Sequence, residues 1–66
     1  MYEIYSLYMI NEKEKTATFI DMQNHTDELL ISIGETYLEE DYDRYVIIGV
    51  LKDNKYELDG YERFYR

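Results

Sequence analysis

The chain has 66 residues, and its 15 Asp and Glu against 7 Lys and Arg leave a formal net charge of −8. This length predicts a single small acidic domain over residues 1–66. So acidic a chain lacks the basic face that binding to phosphates requires, which argues against direct nucleic-acid binding. Because there is no cysteine, disulfides, thiolate nucleophiles and cysteine-ligated metals are excluded.

Two segments near the start of the chain have the composition of β-strands. Residues 2–10 and 16–22 are rich in aromatic and branched side chains, which favour strands. The charged residues 11–15 separate them, so the sequence predicts a β-hairpin. A polar break at residues 23–27 follows the second strand.

Residues 27–41 allow two interpretations. The isoleucines and the central Gly34 are poor helix formers, so we favour a strand over residues 28–33 that pairs with the preceding strand. Only residues 35–42 would then be helical, for one or two turns. The alternative is one helix over the whole segment, whose buried arc would consist of Leu29, Leu30, Ile33, Tyr37 and Leu38.

The strongest strand pattern lies in the second half of the chain, at residues 45–51. Asp53 and Asn54 follow it as a two-residue turn of the kind that tolerates positive φ. Residues 55–58 are therefore predicted to return as the second strand of a hairpin. The tail, residues 61–65, would extend that strand or add a short one.

These elements predict the fold class. We expect a mainly β fold, a small antiparallel meander or barrel of four to five strands with a short helix around residues 35–42. The alternative is an α+β fold of order β-β-α-β-β, with one helix at residues 27–41 on a four-stranded sheet. A chain this short gains little from one core, so we also expect self-association to contribute to its stability.

The negative charge is concentrated in the middle of the chain. Residues 16–43 contain eight acidic residues and no Lys or Arg, whereas the charges of the other segments cancel. The densest part is residues 35–43, here called the acidic segment. We predict that its acids and tyrosines bind a partner: Glu35, Tyr37, Glu39, Glu40, Asp41, Tyr42 and Asp43.

Three interpretations of the acidic segment compete. Runs of like charge are usually solvated surface that keeps a protein soluble. Alternatively, the segment faces a basic partner, because clustered like charges destabilise the fold and the tyrosines offer rigid contact area. A divalent-cation site is the third interpretation. Asp41 and Asp43 have the spacing of a calcium loop, but Tyr45 and the lack of a suitably placed glycine match it poorly.

Residues suited to catalysis are sparse. His25 is the only histidine and lies in a predicted turn, and neither Ser6 nor Ser32 sits in the glycine-flanked elbow of a nucleophile. The three glycines are too far apart for a phosphate-binding loop. We therefore expect no enzymatic activity, no metal site and no cofactor.

The pattern predicts a small non-catalytic binding protein. In its most concrete form, it is a phage- or mobile-element-type inhibitor that mimics nucleic acid and blocks the basic site of a host nuclease, polymerase or defence protein. One alternative is a homo-oligomeric module that binds a small nucleotide-like ligand between subunits. Another is a structural subunit that adds a strand to a neighbouring sheet edge. No apolar run approaches the roughly 18 residues of a membrane span, and no secretion signal opens the chain, so we expect a cytoplasmic protein of a bacterial host.

Overall fold

All strands of the computed structural model, which describes residues 3–66, belong to one sheet with the order β3-β1-β2-β4. β1 lies between β2 and β3 and is antiparallel to both, whereas β4 is parallel to β2. The predicted first strand begins at Tyr2, which lies outside the described residues. In chain order the elements are β1 (Ile4–Asn11), β2 (Thr16–Asn24), α1 (Glu28–Tyr37), β3 (Arg44–Gly49), a 3₁₀ helix (Lys55–Leu58) and β4 (Glu62–Tyr65).

A four-stranded mixed sheet with one helix confirms the predicted mainly β or α+β class, and its element order is the β-β-α-β-β alternative. The sheet is not the antiparallel meander or barrel that we favoured, because β4 is parallel to β2. The strand favoured over residues 28–33 is wrong, because these residues lie in α1. The helix expected around residues 35–42 is also placed too late: α1 ends at Tyr37, and turns follow. Leu30 of α1 packs against Leu7 and Met9 of β1. Burial of Leu30, with Ile33, Tyr37 and Leu38 packed around it, outweighs the weak helix propensity of the segment. Leu29, which was expected in the buried arc, is instead exposed.

The predicted hairpin in the second half is wrong beyond its turn. Asp53 does have a positive φ of 52°, but residues 55–58 form a 3₁₀ helix instead of a returning strand. Leu58 at the end of that helix is buried against Ile10 and Ala17. This packing carries the chain across the sheet, so β4 reaches the far side of β2 and pairs with it in parallel.

The sheet has an apolar layer on each face, and the central strand β1 contributes to both. On the face covered by α1, the buried side chains are Leu7, Met9 and Leu30. On the opposite face, β1 contributes Ile10, which packs with Ala17, Val46 and Leu58. Such alternation is expected of a strand covered on both sides.

A bulge in β2 adapts that strand to the two layers. Leu7 pairs with Asp21 and the next residue, Tyr8, pairs with Phe19, so Ile20 is the extra residue. The side chain of Ile20 joins the layer under α1. Phe19 points to the opposite face and contacts Tyr8, with 5.6 Å between ring centroids. The bulge thus supplies one apolar side chain to each layer from adjacent residues.

Candidate partner-binding surface

The acidic segment forms the end of α1 and the loop that leads to β3. Residues 35–37 complete the helix, and two further turns follow, in which Glu39 N donates to Thr36 O at 3.2 Å and Glu40 N donates to Tyr37 O at 2.9 Å. No basic residue lies in the last turn of α1. The carboxylates of Glu35, Glu39 and Glu40 therefore lie without a base from the same turn at the C-terminal end of α1, where the helix dipole disfavours negative charge.

The five acids of the segment are exposed, but its two tyrosines are only half-exposed. Tyr37 and Tyr42 pack against the buried layer under α1. Their rings contact each other edge to face, with centroids 6.5 Å apart and an angle of 66° between the planes. Each tyrosine thus contributes to the core and leaves only part of its ring for a partner.

A base from the end of the chain compensates one of the acids. Arg66 donates from Nη1 to Glu40 Oε1 at 3.3 Å, and its guanidinium lies 4.7 Å from the centroid of the Tyr37 ring. The hydrogen bond to Glu40 and the nearby Tyr37 raise the pKa of Arg66 above its ordinary value. The local sequence contains no sign of this contact, because it depends on the parallel pairing of β4 with β2.

Asp43 has a structural contact of its own. Its Oδ2 accepts a 2.7 Å hydrogen bond from the backbone N of Glu12, and its own backbone N donates to Ile10 O at 2.8 Å. In addition, Asn11 Nδ2 donates to the backbone O of Asp41 at 3.4 Å. These bonds attach the acidic loop to the turn between β1 and β2.

The same loop borders a polar pocket of about 300 Å³, lined by Asn11, Lys13, Glu14, Asp41 and Asp43. Among the residues that the structure describes, no group of three or more Asp, Glu or His side chains is arranged to hold a metal ion. The pocket also contains a lysine, whose charge opposes cation binding. The spacing of Asp41 and Asp43 therefore finds no third ligand in residues 3–66.

Three carboxylates of the acidic segment remain without an ion pair or a side-chain hydrogen bond within residues 3–66. They are Glu35, Glu39 and Asp41, here called the acidic trio, and all three are exposed. Glu40 and Asp43, by contrast, have the partners described above. The structure thus divides the predicted site into an available part and a part that supports the fold.

A second charged cluster fastens the start of β4 to the sheet. Arg44 donates from Nε to Glu12 Oε2 at 3.2 Å and from Nη2 to the hydroxyl of Tyr61 at 3.2 Å, while that hydroxyl donates to Glu12 Oε1. The hydrogen bonds from Tyr61 and Arg44 lower the pKa of Glu12. Sequence analysis missed this cluster, whose members are up to 49 residues apart in the chain.

Comparison with protein-family models, with curated proteins and with solved structures finds no match to this chain. Within the described residues, no helix has the length and apolar character needed to cross a membrane.

Proposed function

We propose that this chain is a non-catalytic binding protein whose acidic surface occupies a basic site on another macromolecule. In the concrete form, it acts in the bacterial cytoplasm as an inhibitor of phage or mobile-element type and blocks the nucleic-acid site of a nuclease, polymerase or defence protein. The observation that carries this proposal is the acidic trio, Glu35, Glu39 and Asp41, exposed and without ion pairs in residues 3–66.

The placement of the trio has an energetic cost that solubility alone does not require. Glu35 and Glu39 lie at the C-terminal end of α1, where the helix dipole repels anions. Their mutual repulsion adds to this cost. In the part of the chain that the structure describes, the ion pairs of Lys and Arg side chains are with Glu40 or with acids outside the acidic segment, and none is with the acidic trio. A basic partner would convert these unfavourable charges into charge-assisted hydrogen bonds.

In this proposal the trio takes the place of phosphate groups, and arginine side chains of the partner bind it as they would bind a nucleic-acid backbone. The exposed parts of Tyr37 and Tyr42 supply rigid apolar contact beside the charges. Glu40 and Asp43 border the same surface. The contact of Asp43 with the backbone of Glu12 holds the loop in one conformation before binding, which lowers the entropy lost on association.

The test removes the three charges and keeps the shapes of the side chains. The variant Glu35→Gln, Glu39→Gln and Asp41→Asn is immobilised and exposed to a bacterial extract. We expect the immobilised unmodified chain to capture a basic nucleic-acid-binding protein from the extract. Free duplex DNA should release this protein from the chain, because both compete for the same basic site. The triple variant should lose this capture, and binding by the unmodified chain should weaken steeply with salt because the charges are screened.

A matched control changes the same number of acids on other surfaces. Asp53→Asn, Asp59→Asn and Glu62→Gln also raise the net charge by three, and all three residues are exposed. This control should capture the partner as well as the unmodified chain does. If both triple variants bind equally well, or if DNA does not compete, the proposed mimicry of nucleic acid is wrong.

A further inference from the structure

The sheet face opposite α1 is only partly covered by the chain itself. The 3₁₀ helix and Leu58 cover the part that contains Ile10 and Val46. The uncovered part is here called the open face. Its apolar side chains are Ile4, Tyr8, Phe19, Met22, Val50 and Tyr65, and the pairing of β4 with β2 places the exposed Arg63 on the same face, two residues before Tyr65.

The open face is continuous across the sheet. Tyr8 pairs with Phe19 on the neighbouring strand, and Phe19 pairs with Tyr65. Both ring pairs have centroids 5.6 Å apart, so the three aromatics form a row. Along β2, Met22 lies on the same face at 47% exposure, and Tyr65 at the end of the row is 81% exposed. A contiguous apolar surface of this kind marks an interaction site, unlike scattered single side chains.

A groove and an apolar projection lie side by side at one end of this face. The groove has a volume of about 300 Å³ and is lined mainly by Ile4, Ser6, Ile48 and Val50. Val50 itself is 75% exposed and begins the turn after β3, and the adjacent Leu51 is also exposed. A surface with a hollow and a neighbouring projection can pair with a copy of itself about a two-fold axis.

The distribution of charge favours a second copy as the occupant. The chain carries a net charge of −8, yet none of the six apolar side chains of the open face is charged, and Arg63 on the β4 side of this face is a base. Its groove is bordered by one acid and one base, Asp53 and Lys55. Two copies in contact here would face each other through nearly neutral surfaces, while α1 with its carboxylates lies on the other side of each sheet.

We propose that the open face is the interface of a symmetric homodimer, in which the turn at Val50 of each copy enters the groove of the other. A standard interface takes about 800 Å² from each partner, roughly a sixth of the 4544 Å² surface of this chain. The shared apolar layer adds to a core that, within residues 3–66, contains seven buried hydrophobic side chains. This dimer is independent of what the acidic trio binds.

The test measures mass by sedimentation velocity over a range of protein concentrations. We expect a dimer that strengthens with added salt, because salt screens the repulsion between two acidic chains. Val50→Asp and Val50→Lys should each raise the dimer Kd roughly a hundredfold, since every substitution occurs twice in the interface. The two variants change the net charge in opposite directions, so a shared effect identifies apolar contact.

Met22→Lys tests a second position on the open face and should weaken the dimer in the same way. Leu29→Asp is the matched control, because Leu29 is 51% exposed on α1, away from the open face. This control should leave the Kd unchanged. A monomeric mass at every concentration up to about 1 mM, or a dimer that neither the Val50 variants nor Met22→Lys weakens, would overturn the proposal.

Discussion

Replacing Asn54 by alanine tests whether one side chain stabilises the fold by hydrogen bonding to the edge strand β3. β3 is an edge strand, and Asn54 bonds to two of its backbone groups. Its Nδ2 donates to Ile47 O at 2.8 Å, and its Oδ1 accepts from Gly49 N at 3.0 Å. The side-chain amide thus bonds to β3 as the peptide group of a neighbouring strand would. A further bond from Nδ2 to Glu57 Oε2, at 2.9 Å, fixes its orientation.

The expected loss of stability follows from these contacts. A part-buried hydrogen bond contributes about 0.5–1.5 kcal/mol, and leaving its backbone partner unsatisfied adds to the loss. Removing the two bonds to β3 and the bond to Glu57 should therefore lower the free energy of unfolding by about 2–3 kcal/mol. For a domain of this size, each kcal/mol shifts the Tm by about 4–8 °C. We expect Asn54→Ala to melt roughly 8–24 °C below the unmodified chain.

Thermal melting followed by circular dichroism measures the effect at one fixed protein concentration. Asn24→Ala is the matched control, because the Asn24 side chain is exposed and makes no hydrogen bond within residues 3–66. The control should melt within about 2 °C of the unmodified chain. If Asn54→Ala also melts within that range, Asn54 does not stabilise the edge of β3. A drop accompanied by aggregation would further indicate that the exposed edge pairs with other chains.

Three other substitutions test particular contacts. Gly34→Ala should destabilise the fold by about 1–3 kcal/mol in urea unfolding, because the new Cβ would lie 2.8 Å from Cγ of Tyr45. Alanine normally favours helices, so a more stable variant would contradict this close approach. Hydrogen bonds, of which the one from Tyr61 has the largest effect, hold the pKa of Glu12 below its ordinary value of 4.5. Ionised Glu12 therefore stabilises the fold at neutral pH, and this stabilisation is lost as pH falls below 4.5 through the folded-state pKa. Glu12→Gln should therefore flatten the pH dependence of the urea unfolding midpoint in this pH range. Identical pH profiles for the variant and the unmodified chain would refute this role of Glu12. Arg66→Gln should leave the carboxylate of Glu40 without its ion pair and so tighten the capture of a basic partner. The salt concentration needed for elution measures this change, and unchanged elution would show that Glu40 does not contact the partner.

The sequence alone determined the features that depend on neighbouring residues. Aromatic and branched residues on either side of a charged break predicted the first hairpin, whose observed strands are Ile4–Asn11 and Thr16–Asn24. The turn after β3 was predicted from Asp53 and Asn54, and Asp53 has the positive φ that such a turn uses. The concentration of acids in one segment was also visible, because charge is counted along the chain.

Only the tertiary structure decided the choices in which local preference is weak. Residues 28–33 have branched side chains that suit a strand, yet they are helical because the sheet offers a surface on which Leu30 is buried. Leu58 is likewise buried against the second face, so its segment forms a 3₁₀ helix and leads β4 to β2. That parallel pairing brings Arg66 to Glu40. This contact distinguishes Glu40 from the acidic trio, and no local pattern encodes it, because Arg66 and Glu40 meet only after the sheet has formed.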